Sequence, residues 1–181
     1  MIFWYNEIMK TIKEVYQNHA EMPYIAPAYQ EELLRKPIPK RNMERTKEGL
    51  LPGHIVMLWR IQFGTYTTAN SHHKYFYTTY GIDAQKELDW LISQGYVQKD
   101  SARESLRHLP ASRLKDFLGQ KAVKGLSKMK RDELDQTVLS HFSEEELGHL
   151  FAVRGYRLLP KGEEALGANA NIVDRHPQKK Y

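Results

Sequence analysis

The sequence contains no cysteine, and this absence excludes several classes of site at once. Disulfide bonds, thiolate metal sites and cysteine nucleophiles all require that residue. The chain also lacks any run approaching the roughly 18 apolar residues that a membrane-spanning helix needs. Its N-terminal segment has no basic region ahead of an apolar core, unlike a signal peptide. We therefore expect a soluble, cytoplasmic protein that does not bind a membrane.

Recognisable catalytic and cofactor motifs are absent as well. The sequence has no Gly-x-Ser-x-Gly, no phosphate-binding Gly-rich loop and no zincin motif. Eight histidines are present, but their spacing does not suit a metal site: His72 and His73 are adjacent, and His149 has no partner at helical i+4 spacing. We predict no catalytic residue, no cofactor and no metal site, and we interpret the protein as non-enzymatic.

Charge is the most informative feature that is present. The 181 residues carry a net charge of +5, which permits binding to nucleic acid without establishing it. Residues 111–131 hold seven lysine and arginine residues but one acidic residue, Asp116, whereas residues 132–150 hold six acidic residues and neither lysine nor arginine. Two interpretations stay open: a phosphate-binding surface, or solvated faces of opposite sign on neighbouring helices.

Hydrophobic periodicity predicts a fold that is mainly α with small β pieces. Asn6 is a candidate N-cap for a helix over 7–20, and "HIVMLWRIQF" is apolar almost all round, which is typical of a buried helix. Asp83 is expected to cap a helix that ends at Gly95. Two capping boxes, Ser101 with Glu104 and Ser143 with Glu146, predict helix starts. A further helix is expected over 131–141.

These patterns divide the chain into six predicted segments. Pro37 and Pro39 forbid a helix between the first two compact regions, so a linker is expected there. The segments are a helical N-terminal segment at 1–34, a basic Pro-containing linker at 35–50, a helical, winged-helix-like region at 51–107, a helix–loop–helix at 108–142, a strand–turn–helix at 143–168 and a tail at 169–181.

The stretch "HHKYFYTTY" mixes basic and aromatic residues in one short segment. Aromatic side chains beside cations can stack nucleic-acid bases and pair with phosphates. More often, such tyrosines and phenylalanines cover the edge of a hydrophobic core. We favour the second interpretation for this stretch.

Two parts of the sequence resemble known DNA-associated modules. "ELDWLISQGYVQ" resembles the helix that enters the wing of winged-helix proteins. Leu114-Lys115-Asp116-Phe117-Leu118 and Lys130-Arg131-Asp132-Glu133-Leu134 resemble the two helical parts of the SAP motif. Ala122-Val123 stands where that motif has Gly-Leu, and Met129 stands where it has Gly. The order of segments over residues 49–175 is similar to that of a SAP-domain-containing protein family of bacteria and phages.

The resemblance to the SAP family implies DNA as a partner. A helix N-terminus carries unpaired N–H groups and partial positive charge, and basic side chains beside it would add contacts to phosphates. The predicted nucleic-acid-binding residues are Arg113, Lys115, Lys121, Lys124, Lys128, Lys130 and Arg131. The alternative is a protein–protein adaptor, because segregated acidic and basic helices also suit a complementary protein partner.

Overall fold

Ten α-helices, four short 3₁₀ helices and one small sheet make up the regular structure of residues 1–177, the part of the chain that the computed structural model describes. The prediction of a mainly α fold with small β pieces is confirmed. The chain divides into two units, one formed by Met1–Gln62, Ser71–Val97 and the chain from Leu158 onward, the other by Phe63–Asn70 and Gln98–Arg157. None of the described helices is long and apolar enough to cross a membrane.

The first unit is built around one fully apolar helix. Its helices are α1 Ile2–Val15, α2 Gln30–Arg35, α3 Pro52–Gln62, α4 Tyr75–Thr78, α5 Ala84–Ser93, α9 Pro160–Ala168 and α10 Ala170–Asp174. Helix α3 contacts α5, α9 and α10, and Ile55, Val56, Met57 and Leu58 are completely buried in it. A helix that is apolar all round needs neighbours on every side, which explains its central position. The predicted buried helix is therefore confirmed.

The second unit contains α6 Ala111–Gln120, α7 Arg131–His141 and α8 Glu144–Leu150. The α6–α7 contact is the most extensive between any two elements. Strand β1 Val97–Lys99 pairs with β2 Tyr156–Leu158 in an antiparallel two-stranded sheet. Residues 98–107, predicted to belong with the region that precedes them, lie in the second unit with 108–157.

Helix α1 begins earlier in the chain than predicted. It starts at Ile2 after Met1, not after Asn6, and it ends at Val15. The backbone N–H of Tyr5 already donates to the carbonyl of Met1 at 3.1 Å. An asparagine N-cap stabilises a helix start by only about 1 kcal/mol, so additional backbone hydrogen bonds override it.

The segment predicted as a linker at 35–50 is packed into the first unit. Ile38, Met43 and Leu50 are at most 1% exposed. The hydroxyl of Tyr16 accepts a hydrogen bond from the Ile38 N–H at 3.0 Å and donates to the Leu33 carbonyl at 3.1 Å. The prolines do prevent a long helix, but burial of three apolar side chains fixes this segment, which a basic composition alone could not indicate.

The first capping box forms its hydrogen bonds without starting an α-helix. The Glu104 N–H donates to the Ser101 hydroxyl at 3.1 Å, and the Ser101 N–H donates to the Glu104 carboxylate at 3.2 Å. The chain then forms turns and a 3₁₀ helix at Leu106–His108. These bonds span only three residues, so a tight turn satisfies them as well as a helix does.

The C-terminal region is more regular than predicted. Pro160 begins α9, so the predicted Pro-Lys-Gly turn is the first helical turn, where proline is favoured. The predicted tail contains α10, and Ile172 and His176 are 5% and 8% exposed. A short helix with one buried residue per turn gives too little periodicity for sequence analysis to detect. The predicted tail's last four residues, 178–181, lie outside the described residues.

Candidate nucleic-acid interface

The candidate site lies on helices α6 and α7, which share one hydrophobic core. Leu114, Phe117 and Leu118 of α6 pack with Leu134 and Val138 of α7, and all five side chains are buried. They occur at i, i+3 and i+4, so they form one stripe on each helix. Burying each of these side chains contributes about 1.5–3 kcal/mol, so the helix pair is a stable platform for the loop between its helices.

The loop at 121–130 is attached to that core by apolar side chains at every third position. Val123, Leu126 and Met129 are partly buried and pack against the core. Ala122 has φ 56°, and Gly125 has φ 79° just before the 3₁₀ turn Leu126–Lys128. An alanine in the left-handed region is uncommon, because its Cβ approaches the following carbonyl oxygen. The loop therefore has a defined path.

Three lysines of this loop point away from the core. Lys124, Lys128 and Lys130 are exposed, and within residues 1–177 their side chains make neither a hydrogen bond nor an ion pair. Ser127 is exposed between them and adds a hydroxyl donor. Ser127 is not among the predicted nucleic-acid-binding residues, although a polar residue inside a basic loop is a usable signal. These four side chains are available to a ligand in solution.

Lys121, in contrast, is occupied by contacts within the second unit. Its ammonium donates to the His141 carbonyl at the end of α7 and to the Glu146 carboxylate at 2.8 Å. It also lies 4.3 Å from the centre of the Phe142 ring. The hydrogen bond from Lys121 holds the pKa of Glu146 below its ordinary value. Lys121 thus stabilises the junction between α7 and α8.

A second cation, Arg103, supports the same helix end. Its guanidinium donates to the Leu139 and Phe142 carbonyls at 3.1 and 2.8 Å. Unpaired carbonyls at a helix C-terminus attract cations, which explains why two basic side chains converge there. Nothing in the local sequence around Arg103 indicates this role, because its partners lie 36 and 39 residues further along the chain.

Arg131 is also committed to contacts inside the unit. Its guanidinium donates to the Leu109 and Leu106 carbonyls at 2.6 and 2.7 Å and pairs with Asp135 at 2.9 Å. It thereby joins the start of α7 to the segment that precedes α6. A phosphate could reach this side chain only in competition with these contacts.

The two basic residues of α6 differ from each other. Arg113 is exposed and lies 5.4 Å from the centre of the Phe117 ring, with a long 3.5 Å contact to the Leu150 carbonyl. Lys115 is half-buried and has no ionic partner within the described part of the chain. Both flank the loop in sequence, and neither is held as firmly as Arg131.

The start of α7 contains groups that attract an anion and groups that repel it. Its N-cap residue, Lys130, provides no side-chain cap, so the first N–H groups of α7 have no capping side chain. Asp132 and Glu133 stand exposed in the first turn, and they interact favourably with the helix dipole. They also repel phosphates. The free cations therefore have to attract the phosphate mainly from the loop side of the helix.

The aromatic stretch in the first unit has mostly structural contacts. Phe76 is completely buried and Tyr80 is 3% exposed. Tyr75 is half-buried, and its ring lies 4.7 Å from both the Phe76 and the His176 ring centres. These contacts favour the interpretation that the stretch covers a hydrophobic core.

Neither a metal-binding group among the described residues nor a similar protein indicates a function for this chain. Among residues 1–177, no group of three or more His, Asp or Glu side chains is placed to hold a metal ion. No family model matches the chain, and neither a curated protein nor a solved structure is significantly similar to it. The resemblance to the SAP family therefore stays a prediction.

Proposed function

We propose that this protein binds DNA without catalysing a reaction, and that the loop at 121–130 contacts the phosphates. The observation that supports this most is the presence of three exposed lysines, Lys124, Lys128 and Lys130, that no carboxylate within the described residues neutralises. Charges of one sign that have no intrachain partner are available for the DNA backbone, where they release condensed counterions on binding.

The packing of the loop against the core favours a role in binding over a role in solubility alone. Val123, Leu126 and Met129 hold the backbone in place, so the loop loses little backbone entropy when a ligand orders the lysine side chains. Lysine is a flexible point charge and reads no base sequence on its own. The proposed contact is therefore one of phosphates and DNA shape, with little base readout.

The proposal includes the two modules that the sequence resembles. We interpret α6, the loop and α7 as a SAP-like helix–loop–helix, and Ala122 supports that interpretation because its φ of 56° suits the glycine that the motif has there. The region at 51–107 is proposed to be winged-helix-like, with α5 ending at Ser93 and Gly95, φ 79°, lying between α5 and β1.

The adaptor alternative has less support, because intrachain contacts occupy half of the acidic surface on which it depends. Glu144 accepts hydrogen bonds from the Ala102 and Arg103 N–H groups at 2.6 and 2.9 Å. Glu146 bonds with Lys121, and Asp135 pairs with Arg131. These carboxylates stabilise the second unit and are not free for a protein partner.

The test is the salt dependence of binding to a short labelled duplex, measured by fluorescence anisotropy on the full chain. Three phosphate contacts predict a slope of log K against log salt of about −2.7, so affinity falls roughly 40-fold between about 50 and 200 mM salt. Changing Lys124, Lys128 and Lys130 to Glu together should abolish binding at low salt.

The matched control reverses three other exposed basic residues, Arg35, Lys36 and Lys40, by the same number of charges. This control protein should keep most of the affinity and the same salt slope. Equal losses in the two triple variants would show that only net charge matters, and the loop would not be the site. No binding of the unmodified chain to any duplex at low salt would end the proposal.

A further inference from the structure

A pocket of about 200 Å³ lies in the first unit, between the segment that precedes α3 and the region around α10. Most of its polar lining consists of hydrogen-bond donors, which are contributed by Arg41, Arg45, Thr46, Asn169, Asn171 and Arg175. Among the described residues that line it, Glu44 is the only carboxylate. We refer to this pocket as the arginine pocket.

Two of its three arginines are available to a ligand. Arg41 and Arg175 are exposed, and neither side chain makes a hydrogen bond or an ion pair within residues 1–177. Burial raises the pKa of Tyr80 to about 12, and the positive charges of Arg175 and Arg41 both oppose that rise. Both guanidinium groups therefore lie close to the same hydroxyl. Two like charges in one pocket repel each other, and an anion between them would remove that repulsion.

The third arginine has a fixed position. The Nε and Nη2 groups of Arg45 donate to the two carboxylate oxygens of Glu21, each at 2.8 Å, and its Nη1 donates to the Gly49 carbonyl at 2.8 Å. These bonds use three of its N–H groups, and the others stay available. Pro52 and Ile172 are buried in the same lining. Fixed donors on a packed base lose little conformational entropy when a ligand binds.

The rim of the arginine pocket already holds a carboxylate of the chain itself. The amide of Asn169 donates to the Glu48 carboxylate at 3.1 Å and to the Ala165 carbonyl at 2.8 Å. Hydrogen bonds from Thr46 and Asn169 hold the pKa of Glu48 below its ordinary value. Two of the lining side chains therefore bind an oxyanion in the folded chain, which supports an anion as the ligand of the pocket.

The donors and the size of the pocket favour a phosphate group over other anions. Arginine matches the geometry of carboxylate and phosphate oxygens and can bind either one through two parallel hydrogen bonds. Because Glu21 offsets Arg45, the charge that a ligand meets comes mainly from Arg41 and Arg175. A phosphate monoester carries about −1.5 to −2 charges at pH 7 and three acceptor oxygens, which suits two free guanidinium groups better than a singly charged carboxylate does.

The volume limits what else the ligand can contain. Pockets for drug-sized molecules measure about 300–1,000 Å³, so a pocket of about 200 Å³ encloses one small group and little more. The rest of a larger ligand would lie outside it, in solvent.

We propose that the arginine pocket binds the phosphate group of a small phosphate monoester. Arg41 and Arg175 supply the charged donors, Arg45 supplies a fixed one and Asn171 supplies an amide. Glu44 repels the ligand and keeps the affinity moderate. The site is independent of the proposed DNA contact, because none of its residues lies in the loop at 121–130.

Isothermal titration calorimetry of the full chain tests the site with phenyl phosphate and with inorganic phosphate, against sodium chloride at equal ionic strength. Both phosphates should bind at one site with a Kd at or below about 1 mM. The double variant Arg41→Gln with Arg175→Gln should weaken binding by about 100-fold or more, because two charge-assisted hydrogen bonds are lost. Both side chains are exposed, so the circular dichroism spectrum should not change. The matched control Arg35→Gln with Lys36→Gln removes two other exposed charges of the first unit and should bind within about 3-fold of the unmodified chain.

A gain of affinity provides a second test that a damaged fold could not imitate. The variant Glu44→Gln removes the carboxylate from the lining and should tighten phosphate binding by about 3- to 10-fold, because a like charge no longer opposes the ligand.

A further titration, with a short DNA duplex already bound, separates a small ligand from the DNA backbone. The affinity for phenyl phosphate should stay the same, and the double arginine variant should keep its affinity for the duplex. Displacement of phenyl phosphate by the duplex, together with loss of duplex binding in that variant, would assign the pocket to DNA and overturn the proposal.

Three other results would also overturn it. One is a heat of phosphate binding no larger than that of sodium chloride. Another is an equal loss of affinity in the two double variants, which would show that only net charge matters. The third is an unchanged or weaker affinity for phosphate in Glu44→Gln. Each of these results leaves the DNA proposal untouched, because the loop lysines remain in every variant.

Discussion

Replacing Arg131 separates its structural contacts from a role in DNA binding. The change Arg131→Met keeps an unbranched apolar stem of similar length to the aliphatic part of arginine and removes the guanidinium. It deletes hydrogen bonds to the Leu106 and Leu109 carbonyls at 2.7 and 2.6 Å and the pair with Asp135 at 2.9 Å. We expect the second unit to lose stability while DNA binding keeps its salt slope.

The expected magnitude follows from these contacts. Hydrogen bonds to charged groups contribute about 1.5–3 kcal/mol each, and the lower end applies because the Arg131 side chain is 35% exposed. The Asp135 pair at i, i+4 adds about 0.3–0.5 kcal/mol. The free energy of unfolding should therefore fall by about 3–3.5 kcal/mol, which corresponds to a decrease in Tm of roughly 6–14 °C for a chain of this size.

The assay is urea unfolding of the full chain followed by circular dichroism. Hydrogen exchange should localise the loss of protection to peptides around Leu106–Leu109 and the start of α7. The control Lys130→Met removes a charge from the neighbouring exposed residue and should change stability by less than about 0.5 kcal/mol. A loss below about 0.5 kcal/mol in Arg131→Met, combined with a salt slope reduced by about one, would refute this reasoning and return Arg131 to the DNA-binding set.

Two further predictions concern the loop and the pH dependence of stability. Ala122→Gly should raise the free energy of unfolding by about 0.5–1 kcal/mol, because glycine adopts φ 56° without the Cβ clash; a decrease in urea unfolding experiments would contradict this. Burial lowers the pKa of His176, whose Nδ1 lies 2.5 Å from the Tyr80 hydroxyl, so below about pH 6.5 the unfolded chain binds more protons than the folded one. The free energy of unfolding should therefore rise as the pH increases toward about 6.5 and then level off. The variant His176→Gln should flatten that rise. Urea unfolding at several pH values measures the effect, and the same dependence of the free energy on pH in the variant would refute the role of His176.

Several elements could be predicted because their signals are local. Helix α7 spans Arg131–His141 as expected, since its apolar spacing and acidic first turn lie within eleven residues. Asp83 accepts a hydrogen bond from the Lys86 N–H, and the Ser143–Glu146 capping box forms both of its bonds. The capping box at Ser101 shows the limit of such signals, because its bonds formed and the predicted helix did not.

The linker and the tail could not be predicted in the same way. Ile38 and Met43 look like isolated apolar residues between prolines and basic residues, and only the packing of the first unit buries them. The same holds for Ile172 and His176 near the end of the described chain. Whether one apolar side chain is buried depends on which distant segments reach it, and periodicity contains no information about that.

The amino-acid sequence by itself determined the helical class, the apolar stripes of α6 and α7, and the concentration of basic residues between them. Tertiary structure alone decided which of those cations are free. Lys121 reaches Glu146 and Arg131 reaches Leu106 across 25 residues of chain, whereas Lys124, Lys128 and Lys130 reach no partner in the described residues. Helix formation depends on residues within about four positions of one another, but neutralisation of a charge depends on whatever the fold brings to within a few ångströms.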